Sequence, residues 1–130
     1  MSKRIYISGP FELQANGRIL REHLHSHGFD CTATWLDERT GEQTEREMAE
    51  RDVTDLLRSD AMVLMNPQDW SYKGTGGRHV EMGIALISAL PVFIYGARSN
   101  VFHHFGNVKA VSSTVGPVVA SLKDHFTRSS

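Results

Sequence analysis

Short apolar runs rich in strand-forming residues alternate along the whole chain with segments whose apolar positions recur at helical spacing. Arg4–Ser8 (Arg-Ile-Tyr-Ile-Ser) reads as a first strand. Leu13, Gly17, Leu20 and Leu24 then recur at the i, i+4, i+7, i+11 spacing of one helical face, and Gly28 closes that helix. Residues 30–35 read as a second strand. After a polar loop over 36–43, a second helix carries Ala49, Val53, Leu56 and Leu57 on one side. Residues 61–65 form a third strand with no polar face, the pattern of a parallel strand covered by helices on both sides. The next helix starts near Gly77 and runs through Val80, Gly83, Ile84, Ile87 and Leu90, apolar nearly all round and so expected to be buried. Pro91 ends it. Strands over 92–95 and 108–111 and a helix over 115–126 complete five βα units.

Strands and helices that alternate with short connections require a parallel sheet with right-handed crossovers. The expected fold is α/β: a single-domain flavodoxin-like or Rossmann-like three-layer sandwich with a five-stranded parallel sheet in the order 2-1-3-4-5. With 130 residues the chain suffices for one core and not for two, so residues 1–130 read as one domain that carries the whole function. In such a sheet the ligand lies beyond the carboxyl ends of the strands where the winding reverses, here between strands 1 and 3. The loops at that point are residues 8–11 and 66–77, also the most unusual stretches chemically.

A formal net charge of -1 gives no reason to expect long nucleic acid or a membrane as partner, since both call for a basic face. A nucleotide-type ligand should therefore be small. Cys31 is the one cysteine, so neither an internal disulfide nor a cysteine zinc site is expected. Met-Ser-Lys-Arg followed by a short apolar run is too little for a signal peptide, and a cytoplasmic location is the expectation. His23 and His27 share a helical spacing and His103 adjoins His104, yet no acid or cysteine completes a metal site; no metal or other cofactor is expected.

Lys73-Gly74-Thr75-Gly76-Gly77-Arg78 offers unhindered backbone amides leading into a helix N-terminus, where an anion or a ribose can lie. A tight turn explains the glycines equally well. Glu81 falls in the first turns of the apolar helix with the small residues Ala85 and Ser88 at i+4 and i+7, which leaves room over its carboxylate. It is either a nucleophile or a charge that complements the helix dipole. Asp52 sits at the edge of the second helix's apolar stripe, where a carboxylate is costly unless used, although that helix is dense with other charges. Tyr6 lies near the end of strand 1, within reach of such a site. Phe11, Trp35, Trp70 and Tyr72 are on or beside loops and suit stacking on a base.

Taken in order, these residues resemble the nucleoside 2-deoxyribosyltransferase family, including its deoxynucleoside 5′-monophosphate N-hydrolase branch. The likeness runs from about Lys3 to Val111. It rests on Ile5-Tyr6-Ile7-Ser8-Gly9-Pro10, on Asp52 and Asp60 ahead of an apolar strand, on the Gly-rich loop into Glu81-Met82-Gly83-Ile84-Ala85, and on Pro91-Val92. The resemblance implies that Glu81 attacks the anomeric carbon, that Asp52 assists at the sugar or the departing base, and that Tyr6 positions the nucleophile. Ser8, Gly9, Pro10, Phe11, Asp69, Trp70, Gly74, Thr75, Gly76, Gly77 and Arg78 would then contact a nucleoside or nucleotide. Asn100 matches an asparagine that the transferases reach across a subunit interface, which implies a homodimer or higher homo-oligomer. The transferases carry an aspartate six residues before the nucleophile and the hydrolases a phosphate-binding serine; this chain has Thr75 there. Transferase against hydrolase, and nucleoside against 5′-monophosphate, stay open on this reading. Rival readings are a TIR-like or cytokinin-activating-type glycohydrolase of NAD or ribonucleotides, and a nucleotide-binding module without turnover.

Overall fold

Ala61–Asn66 (β3) is buried at every position and forms the middle of the sheet. In this computed structural model, which describes residues 2–67 and 76–128, β3 pairs with Arg4–Ser8 (β1) on one side and Val92–Gly96 (β4) on the other. Asp30–Cys31 (β2) and Val108–Ser112 (β5) form the edges. All pairs are parallel and the order is β2-β1-β3-β4-β5, as expected from the sequence.

The helices are Gln14–Ser26 (α1), Glu45–Leu57 (α2), Gly77–Ile87 (α3) and Val115–Arg128 (α4). The chain moves outward from β1 to β2 and then back across β1 to β3. Right-handed crossovers therefore put α1 on one face and α2 and α3 on the other. The packing agrees: α1 lies against α4, and α2 against α3. A capping box between Thr44 and Glu47 starts α2. Where β3 and β4 end together, Gly96 has φ +134°, and a Cβ there would lie 2.0 Å from the Asn66 carbonyl oxygen. Only glycine allows that approach. Among the described residues no helix is long and apolar enough to cross a membrane.

Four expectations need correction. The second strand stops at Cys31, because residues 34–37 wind into a 3₁₀ turn. Asp55 of α2 accepts the Thr34 backbone N–H at 3.1 Å and its hydroxyl at 2.6 Å, and the Trp35 indole donates to the Ile7 carbonyl at 2.7 Å. Trp35 is thus buried rather than an exposed loop aromatic. On α2, Leu56 and Asp55 face the core, whereas Ala49, Val53 and Leu57 are exposed. The third helix ends at Ile87, with Ala89 at φ 55°, and buries only Met82 and Ala85. Val80 and Ile87 point outward, so α2 and α3 together present an apolar outer face.

Candidate active site

Successive side chains of a strand point to opposite faces. Tyr6 and Ser8 therefore leave β1 on the same side, toward α2 and α3, while Ile5 and Ile7 fill the other. The Tyr6 hydroxyl donates to Glu81 Oε2 and the Ser8 hydroxyl to Glu81 Oε1 at 2.7 Å. Both donors are completely buried, so each hydroxyl needs a partner and Glu81 is that partner. Glu81 is brought there by α3, whose first residue follows Gly76 at φ +90°, a left-handed turn suited to glycine. Ala85 packs into the core and Ser88 ends the helix. The space over the carboxylate is bounded instead by Val80 and Ile84.

Burial pushes the Glu81 carboxyl up to about 7, against the lowering effect of its bonds from Tyr6 and Ser8; Asp52 raises it further and Arg51 lowers it. The Tyr6 phenol is displaced far above its ordinary value, by burial first and by the Glu81 charge next. It therefore stays protonated and acts as a hydrogen-bond donor. Glu81 can be an ionised nucleophile near neutral pH, and its proton affinity is within reach of proton transfer.

Glu81 opens onto a cavity of about 420 Å³ between the β1 loop, α2 and the start of α3. Gly9, Pro10 and Phe11 line one side, Asp52 and Val53 another, and Gly76, Gly77 and Arg78 a third. This volume suits a nucleoside-sized ligand. Asp52 is half-buried; burial raises its carboxyl while the Arg51 hydrogen bonds and charge lower it. Phe11 is half exposed with its ring centroid 6.5 Å from that of Trp35, so an aromatic surface is available for stacking. Arg78 lines the cavity and is steadied by Asn66, whose Oδ1 accepts from Nε at 3.1 Å. Asn66 is itself buried and donates to the Ala97 carbonyl at 2.6 Å and to Ser99 Oγ at 3.0 Å.

The structure thus brings together Glu81, Tyr6, Asp52, Gly9, Pro10, Phe11, Gly76, Gly77 and Arg78. Ser8 holds Glu81 from beneath rather than facing the cavity. Asn100 lies outside the cavity of its own chain and caps the 3₁₀ turn Val101–His104, accepting the Phe102 N–H at 2.9 Å. Asp69, Trp70, Gly74 and Thr75 lie outside the described residues. Sequence reasoning missed Glu12, Glu38, Met48 and Arg51, of which the first three line the cavity and Arg51 binds both Glu38 and Asp52. No single-sequence signal separates Arg51 from Arg46, since both sit in the same charged helix. Among the described residues no group of three or more His, Cys, Asp or Glu is arranged to hold a metal ion.

No family model matches the chain, and no curated protein matches it in sequence. Solved structures that share its fold include two enzymes. A 2-deoxyribosyltransferase from the psychrotolerant bacterium Bacillus psychrosaccharolyticus superposes with a TM-score of 0.63 at 15% identity, over 89% of this chain and 90% of that one. The CMP N-glycosidase BcmB of Clostridium botulinum superposes with a TM-score of 0.66 at 16% identity, over 93% of this chain and 98% of that one. The chain therefore has, over nearly its whole length, the fold on which these two proteins are built.

Proposed function

We propose that the protein cleaves the N-glycosidic bond of a nucleoside or nucleoside 5′-monophosphate, with Glu81 as nucleophile. One observation carries this reading: a largely buried carboxylate, held on both oxygens by Tyr6 and Ser8, opens onto a nucleoside-sized cavity that Asp52 also lines. The likeness in fold to a CMP N-glycosidase and a 2-deoxyribosyltransferase supports it, since both names denote chemistry at an N-glycosidic carbon.

In the first step a Glu81 oxygen bonds to C1′ as the C1′–N bond breaks, and the electron pair leaves with the base. The intermediate is a glycosyl ester of Glu81. Water or a second base then attacks C1′ and Glu81 departs as carboxylate, so the two displacements retain configuration. In hydrolysis the hydroxyl of water ends on C1′ and its proton on the base. Asp52 accepts a hydrogen bond from a sugar hydroxyl, Phe11 stacks on the base, and Arg78 takes the 5′-phosphate where one is present.

The exposed face of α2 and α3 runs from the cavity rim, where Val53 and Val80 lie, to Leu57 and Ile87. A second copy of the chain covers this face in our reading, and Asn100 then serves the partner's cavity rather than its own.

The test is product analysis with ribo- and 2′-deoxyribonucleosides and their 5′-monophosphates, with and without a second free base. Release of base without an acceptor identifies a hydrolase; exchange that requires the acceptor identifies a transferase. Glu81→Ala should abolish either reaction in a folded protein, and an undiminished rate in that variant would refute the role of Glu81.

A further inference from the structure

Arg51 does not line the cavity, yet two of the carboxylates that do are held by it. Its Nε and Nη2 both donate to Asp52 Oδ1, at 3.1 and 2.8 Å. Its Nη1 donates to Glu38 Oε1 at 2.7 Å and to Gln43 Oε1. The side chain is 17% exposed and that of Glu38 8%, so this is a sheltered network rather than a solvated surface pair. Two donors on one oxygen fix the plane of the Asp52 carboxylate. Its Oδ2 has no hydrogen bond within the described residues and belongs to a residue on the cavity wall. Glu38 comes from the loop ahead of α2 and Asp52 from α2 itself, so the same guanidinium also ties the two sides of that wall together.

We propose that Arg51 is the positioning residue of this site, sharing its guanidinium between Glu38 and Asp52 so that Asp52 stays ionised with Oδ2 presented to the sugar of the substrate. The proposal rests on the N-glycosidic reading for its activity readout. The groups facing the two catalytic carboxyls are Tyr6 and Ser8 from β1, Asp55 and Arg51 from α2, Glu38 from the preceding loop, and Asp52 and Glu81 toward each other. Burial and the charges of Glu38 and Asp55 favour a protonated Asp52; the Arg51 hydrogen bonds and charge oppose them. Arg51 acts in the same direction on Glu81. Removing it leaves Glu38 and Asp52 as neighbouring carboxylates with nothing between them.

Arg51→Met and Arg51→Lys separate charge from geometry. Lysine keeps the charge but lacks the planar fork that serves two carboxylates at once. Urea unfolding first establishes that each variant folds. The pH dependence of kcat is then measured, with carboxyl carbon NMR titration of Asp52 and Glu81 alongside it. Arg51→Met should lower kcat about a hundredfold through misplacement of Asp52, move the acid limb upward, and move both carboxyl titrations upward. Arg51→Lys should lower kcat while leaving the limb close to its wild-type position. A folded Arg51→Met with wild-type kcat and unmoved titrations overturns the proposal. Should Arg51→Met fail to fold, Arg51→Lys decides: wild-type kcat overturns the proposal. If the wild-type protein cleaves no nucleoside or nucleotide, the functional reading fails, and the Asp52 titration alone then decides the role of Arg51. An upward shift supports that role and no shift overturns it.

Discussion

Replacing Glu81 by Gln tests the environment of this carboxyl independently of any substrate. Its proton affinity is raised from an ordinary 4.5 to about 7, chiefly by burial. For an acid whose folded value lies above its unfolded value, the protonated form is favoured by folding. Its stabilising contribution is complete below about pH 4.5 and is lost as the pH rises through 7. At about 1.4 kcal/mol per pH unit, the interval corresponds to about 3 kcal/mol, most of it lost between pH 5 and pH 8.5. Glutamine is nearly the same size and carries no charge at any pH, so the variant should escape this loss. Urea unfolding of both proteins from pH 5 to 8.5, with slopes checked for constancy, should show the variant gaining about 2–3 kcal/mol on the wild type across the range. Comparing the two proteins cancels the titration of every other group to first order. Parallel curves would mean that Glu81 titrates as an exposed carboxylate and would refute the desolvated site. The same variant should be inactive at every pH, whereas wild-type activity should fall as the pH drops below about 7.

Tyr6→Phe removes one donor to Glu81, a charge-assisted bond of about 1.5–3 kcal/mol; the acid limb of the rate profile should move above its wild-type position, and an unmoved limb would count against the bond. Ile87→Glu places a charge at a side chain that is 90% exposed on the apolar outer face. Light scattering after size exclusion should show a wild-type oligomer and a monomeric variant; a monomeric wild type would eliminate the proposed interface. Gly96→Ala must fit a Cβ against the Asn66 carbonyl at a positive φ. It should cost about 3 kcal/mol or more in urea unfolding, and a cost under about 1 kcal/mol would show that the β3–β4 ends relax easily. Arg78→Ala should raise KM for 5′-monophosphates more than for nucleosides; equal effects on both would remove Arg78 from phosphate recognition.

The sheet order and its parallel sense were legible in the chain, because apolar periodicity and short connections leave few ways to wind five βα units. The alternation of β1 also implied that Tyr6 and Ser8 share a face, and the glycines before α3 implied that Glu81 begins a helix at the switch point. The α2 reading failed where tertiary contacts choose among faces of similar pattern. Asp55 is buried because Thr34 bonds to it across the sheet edge, while Val53 and Leu57 stay exposed. The second strand failed for the same reason, since the contacts that curl residues 34–37 come from α2 and β1. Most of all, no local pattern distinguishes Arg51 from its charged neighbours. The chain alone determined which elements form and in what order they pack. Only the tertiary structure decided which carboxylates lose their water and which guanidinium holds them, because desolvation and hydrogen-bond partnership belong to residues far apart in sequence.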